Sequence, residues 1–268
     1  MPDRSKVIQM AISQIGYLEK SKSAYQKDPG ILDSMTAGAG YDNYTKYGRD
    51  MHAIYPSVMD FPAPWCDCFV DWCFQRAYGV TTAKSLLAGN FDDYTVESAK
   101  MYQKHNALDR NPERGAQIFF SRSGGINGIY HTGLVYAVDD SYVYTIEGNT
   151  SSGAEIVANG GAVCKKAYAK HSTAMRRAFF GHPAYNDEVK TVGATKATYT
   201  INGYALHDVS YGDQDEAVRF LQQLLTAKGF PCTADGICGD KTLKALAEYQ
   251  ASKRRTTCGK GTWEELLK

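Results

Sequence analysis

Apolar residues change their spacing along this chain, and each change marks a new element. Over residues 4–19, Val7, Met10, Ala11, Ile15 and Leu18 recur at three to four, predicting an amphipathic helix that closes near Gly16–Lys20. Residues 28–64 are rich in Gly, Asp, Asn, Tyr and Pro with little periodicity, and read as a long ordered loop. Over 65–78, positions 66, 69, 70, 73, 74 and 77 form one stripe ended by Gly79, the pattern of a helix. Residues 94–104 predict another. After Pro112 the period becomes two. "AQIFFSR", "HTGLVYAV" and "YVYTIEG" predict strands, the last two joined by a "DDS" turn. Residues 154–159, 162–168 and 175–181 read as further short strands. Helices first and an antiparallel sheet after them predict an α+β class.

Hydrophobic patterning lapses over 184–197, a linker, so residues 1–183 form one domain and 198–268 another. In the second, "DEAVRFLQQLLTAKGF", "GDKTLKALAEYQ" and "GKGTWEELL" predict three helices. "CGDKTLKAL" and "CGKGTWEEL" form a faint repeat. Val218, Leu221, Leu224, Leu225, Leu243, Leu246, Tyr249 and Leu266 are its expected core, Asp235-Gly236 a tight turn, and Thr242 and Thr262 helix caps.

Composition narrows the classes. Of 268 residues, 43% are hydrophobic and 22% charged, the balance of a globular protein, and a net charge of +1 forecasts no attraction to nucleic acid. No apolar run is long enough to insert in a membrane, and the first twenty residues carry no secretory signal pattern. The expected place of synthesis is therefore the cytoplasm, and action elsewhere requires release or delivery.

Seven cysteines leave at least one thiol unpaired within a monomer. Three fall in "PAPWCDCFVDWCF". Cys66 and Cys68 would point about 200° apart on a helix, which disfavours a shared zinc ion or a disulfide among the three. Cys73 belongs to the apolar stripe; Cys68 lies on the other side and is expected to be partly exposed. Cys66 falls in the first helical turn, where unpaired backbone N–H groups and the dipole favour a thiolate and offer an oxyanion site. If Val138 pairs with Tyr142, opposed residue numbers sum to about 280. His131 then faces Asn149, and Gly133 faces Glu147, on one side of the hairpin. Glu147 or Asn149 would orient His131, leaving its other nitrogen for Cys66. Trp65, Tyr130 and Trp72 are the candidate substrate contacts. His182 and His207 are expected to face solvent. Cys232, Cys238 and Cys258 leave room for one disulfide of undefined pairing.

These residues carry a resemblance. "WCDCFVDW", "PERGAQIFF", "HTGLV" and "IEGN" resemble, in order and spacing, the motifs of CHAP domains, the cysteine, histidine-dependent amidohydrolases/peptidases, across about residues 5–180. The resemblance implies a papain-like fold with helices packed on an antiparallel sheet. It also implies Cys66 as nucleophile, His131 as base and Glu147 or Asn149 as its orienting group. The calcium loop of some phage members has no counterpart in 28–64, so no metal and no cofactor are expected. "GDQDEAVRFLQQLLTAKGF…ADGICGDKTLKALAEYQ…GKGTWEELL" resembles the peptidoglycan-binding three-helix domain over about 199–268. Together they imply an endolysin-like hydrolase of bacterial peptidoglycan, taken as a monomer and released through a holin or delivered. Amidase and endopeptidase activities stay open. So do three other readings: a wall-binding protein with an inactive CHAP-like half, an injected antibacterial effector, and an amidase of small thiol-peptides.

Overall fold

The computed structural model describes residues 2–153, 155–185, 198–209, 213, 215–236, 238–251 and 259–268. Its contacts divide the chain into two compact units, 1–188 and 189–268.

The first unit is α+β. Its helices are α1 (Arg4–Ile12), α2 (Lys22–Lys27), α3 (Lys46–Ile54), α4 (Cys66–Tyr78), α5 (Val80–Leu86), α6 (Thr95–Lys104) and α7 (Thr173–Arg177). Its strands are β1 (Leu108–Asp109), β2 (Gln117–Ser121), β3 (Ile129–Val138), β4 (Tyr142–Thr150), β5 (Ala162–Ala169) and β6 (Phe179–Gly181). They form one antiparallel sheet in the order β1-β6-β2-β3-β4-β5. On one face Ile118, Phe120, Val135, Val143, Tyr168 and Phe180 make an apolar cluster.

Helix α4 organises the unit, packing against α1, α3, α5, β3 and β4. The stripe at 66–77 predicted one buried side. In fact every residue from Cys66 to Phe74 is buried, because partners surround the helix. Cys68, expected to be partly exposed, is therefore buried, and burial pushes its thiol pKa well up. Asp67 and Asp71 are enclosed with it. Asp67 accepts from Ser98 Oγ at 2.6 Å and Gln117 Nε2 at 2.7 Å, and Asp71 accepts from the Asp92 N–H at 3.0 Å. Burial pushes Asp67 up to about 7.

Several boundaries differ from the sequence reading. α1 stops at Ile12, since Gly16 adopts a left-handed φ of 89° and the chain turns extended. The stretch 28–64 is no simple loop. It holds α3, capped by Thr45 Oγ1, and a 3-10 turn at Pro29–Asp33 capped by Asp28. No strand runs over 155–159, and Ala154 lies outside the described residues. The segment 175–181 is the end of α7 followed by β6. Neither His182 nor His207 simply faces water: His182 Nε2 meets Asp109 Oδ1 and His207 Nε2 meets Asp215 Oδ2, each at 2.8 Å.

Of the linker, residues 186–197 lie outside the described residues, while Tyr185 donates from its hydroxyl to the Gly115 carbonyl at 2.8 Å.

The second unit contains α8 (Glu216–Ala227), α9 (Asp240–Ala251) and α10 (Lys260–Leu266). It also has a hairpin that the period did not reveal, β7 (Tyr199–Ile201) and β8 (Tyr204–Leu206), turning at Asn202-Gly203. Val218, Leu221, Leu225, Leu246, Tyr249, Trp263 and Leu266 are buried together, with Leu224 and Leu243 packed on them. The faint repeat has a structural counterpart. Gln222 Nε2 donates to Thr242 Oγ1 at 2.8 Å, and Gln250 Nε2 donates to Thr262 Oγ1 at 3.2 Å. Each threonine thus bonds the glutamine of the preceding helix. Thr262 is not the α10 cap, which is Gly259. Cys232 is a free thiol, and Cys258 lies outside the described residues.

Candidate active site

Two glycines let the site assemble. At Gly133 a Cβ would meet Glu147 Cγ at 2.6 Å, so only glycine leaves Glu147 room beside β3. At Gly148 a Cβ would meet Phe69 Cβ at 2.6 Å and Trp65 at 2.8 Å, so β4 lies directly against the start of α4. The β3–β4 register follows from a correction. Val138 pairs with Val143 rather than Tyr142, and an irregularity between Val135 and Ala137 absorbs one residue. Beyond it Val135 pairs with Thr145 and Leu134 with Ile146, sums of 280, which set Gly133 beside Glu147.

His131 is fully buried, pairs with Phe120 across β2–β3 and stacks on its ring at 5.7 Å. Its Nε2 lies 2.9 Å from Glu147 Oε2. Among the described residues its Nδ1 makes no conventional hydrogen bond, and the Cys66 side chain, like Glu147, interacts with the imidazole and raises its pKa. Burial pulls the His131 pKa down. Interactions with Cys66 and Glu147 outweigh it and hold the ring at about 9. At neutral pH the ring is an imidazolium with an N–H on each nitrogen, one directed to Glu147 and one left for sulfur.

Glu147 is itself held. Thr145 Oγ1 donates to its Oε1 at 2.5 Å, and Tyr168 lies beside it, its phenol pKa pushed up by burial and by the carboxylate. Thr145 escaped the sequence reading, although it lies two residues before Glu147 on the same face. Cys66 is a free thiol, 7% exposed, at the first residue of α4. Its helix start has no side-chain cap, which leaves the first backbone N–H groups without a side-chain acceptor. The arrangement supplies a thiol at a helix N-terminus, an imidazolium beside it and a buried carboxylate behind that.

The other candidates are placed differently. Asn149 is buried at the end of β4 in a left-handed conformation, φ 54°, and among the described residues neither its Oδ1 nor its Nδ2 has a hydrogen-bond partner. Glu147, not Asn149, bonds His131. Trp65 is 1% exposed and donates from Nε1 to Glu19 Oε2 at 2.7 Å, inside a cluster with Tyr17, Tyr47 and Phe69. Trp72 is buried and donates to Asp50 Oδ2 at 2.9 Å. Both indole N–H groups thus find acceptors inside the unit, as indoles in a core require. Tyr130 is half-buried, with the Arg122 guanidinium 4.1 Å from its ring centre. Among the described residues, no group of three or more His, Cys, Asp or Glu side chains is arranged to hold a metal, and no helix is long and apolar enough to cross a membrane.

Residues 58–149 match the CHAP domain. The CHAP-matching span contains Cys66, His131, Glu147 and Asn149. No curated protein matches the chain. Among solved structures, the crystal structure of Ly7917 with the hydrolyzing product of MDP aligns at 12% identity and a TM-score of 0.32, over 68% of this chain. The alignment spans 63% of Ly7917, less than two thirds of its length.

Proposed function

We propose that this protein is a peptidoglycan hydrolase whose CHAP domain cleaves an amide or peptide bond through a Cys66 thioester. Cys66 sulfur, as the thiolate whose proton is already held by the His131 imidazolium, attacks the carbonyl carbon of the scissile bond. The tetrahedral oxyanion rests on backbone N–H groups at the start of α4. His131 then protonates the leaving nitrogen, the C–N bond breaks, and an acyl-thioester remains. Water attacks that thioester as the now neutral His131 takes its proton; the C–S bond breaks, the acid departs and the thiolate–imidazolium pair is restored. Glu147 keeps Nε2 occupied, so Nδ1 is the nitrogen available to sulfur and substrate.

The observation that supports this reading is a buried imidazole with opposite attachments: a carboxylate on Nε2 and a cysteine at a helix start as the other interacting group. The second unit supports peptidoglycan as the substrate through its likeness to the wall-binding three-helix pattern. It would act by holding the enzyme on insoluble polymer, raising the local concentration of scissile bonds. The test is turbidity loss of purified walls. The native chain should clear them, and Cys66→Ala should bind without clearing. Mass spectrometry of the digest then separates amidase from endopeptidase: a free lactyl carboxyl marks the first, a new peptide amine the second. Walls left intact by the native chain would refute the proposal.

A further inference from the structure

The second unit carries a cavity of about 290 Å³ between the β7–β8 hairpin and α8. Tyr204 from the hairpin and Phe220 from α8 line it together with Glu216, Arg219 and Gln223. The Tyr204 and Phe220 rings lie 4.6 Å apart, and Phe220 is stacked 6.1 Å from Trp263. Trp263 is fully buried and donates from Nε1 to the His207 carbonyl at 2.9 Å. The outermost ring, Tyr204, is thus backed by a layer rooted in the core, yet stays 49% exposed. No hydrogen bond from its hydroxyl or from the Gln223 amide occurs among the described residues.

We propose that this cleft binds one N-acetylated hexosamine of a glycan strand, an assignment that rests on the peptidoglycan reading above. A pyranose ring offers an apolar C–H face and a rim of groups that both donate and accept. The cleft has the matching halves. Tyr204 and Phe220 supply the apolar surface, Glu216 accepts, Arg219 donates, and Gln223 does both, as an acetamido group requires. The Glu216 carboxylate beside Arg219, 3.2 Å from its Nε, disfavours a phosphate or other anion at the same place. The volume sits at the small end of ligand pockets, room for a single sugar rather than an extended strand. The hairpin that completes the cleft is additional to the three helices, so the site belongs to this chain rather than to the bare bundle.

The experiment uses the full chain carrying Cys66→Ala, with sedimentation on purified walls and titration with chitotetraose. The parent should bind both. Tyr204→Ala should weaken both by about tenfold, the loss of one aromatic contact, and Tyr204→Phe should retain binding. If Tyr204→Ala loses cooperative unfolding, Gln223→Ala and Arg219→Ala, at exposed helix positions, interrogate the same cleft and should weaken both ligands. Wall binding that persists unchanged in all these variants overturns the cleft but leaves the hydrolase reading intact. So does wall binding that chitotetraose fails to compete. A parent chain that binds no walls defeats the wall-tethering reading, and the cleft with it.

Discussion

Glu147 Oε2 lies 2.9 Å from His131 Nε2, and both side chains are fully buried. A carboxylate enclosed with an imidazole stabilises its charged form, because no water competes for either partner. This relationship sets the pH behaviour of the site. His131 should titrate near 9 in the native chain. In Glu147→Gln one charge interaction is lost, so the titration should fall, and hydrolysis should drop on the order of 10²–10⁴-fold. Histidine NMR titration and wall clearing check the two effects. An unchanged His131 titration would contradict the assignment.

Asn149 provides the contrast. Among the described residues its side-chain amide has no hydrogen-bond partner, whereas Glu147 bonds His131 directly. Asn149→Ala should reduce hydrolysis far less than Glu147→Gln and should leave the His131 titration near its native position. Side-by-side rates and titrations decide which side chain holds the ring.

Gly133 and Gly148 should each refuse a methyl group. Gly133→Ala would press on Glu147 Cγ and shift the carboxylate away from His131, lowering hydrolysis with modest loss of stability. Gly148→Ala would press on Phe69 and Trp65, forcing β4 from α4, and should cost about 1–3 kcal/mol of stability. Activity and thermal unfolding measured together separate the two.

Asp67 makes stability depend on pH. Its folded pKa, about 7, lies above the ordinary carboxylate value of 3.8, so the folded state binds the proton more tightly. The contribution is fully present below the unfolded pKa and is lost as pH rises through about 7. His131 acts with the same sign in a higher window, from 6.5 to about 9. Thermal stability referable to these groups should therefore fall from pH 4 toward 9. Asp67→Asn should flatten the portion between 4 and 7, as calorimetry across pH would register.

Much of the architecture was legible because its signals are local. The stripe from Cys66 to Ala77 and the terminator Gly79 gave α4, and period-two runs gave β2, β3 and β4. The turn at 139–141 brought His131 and Glu147 to one end of a hairpin. What the chain concealed was tertiary. α3 was hidden because Tyr47, Gly48 and Met51 are buried in a segment of loop-like composition. The enclosure of Asp67 and Asp71 depends on Ser98, Gln117 and Asp92, which are distant in sequence. The structural role of Trp65 depends on Glu19, 46 residues earlier. Glu19→Ala would strand that indole N–H and should cost about 1–3 kcal/mol.

The central claim is that Cys66 is activated by His131, and thiol alkylation mapped by mass spectrometry tests it most directly. Exposure alone would direct a small alkylating reagent to Cys164 and Cys232, which are more accessible than Cys66. Activation by the imidazole predicts that Cys66 is modified first, and that His131→Ala slows its modification while leaving Cys164 and Cys232 unchanged. Modification of Cys66 at the same rate with and without the imidazole, or label appearing first on the other two thiols, would contradict the account.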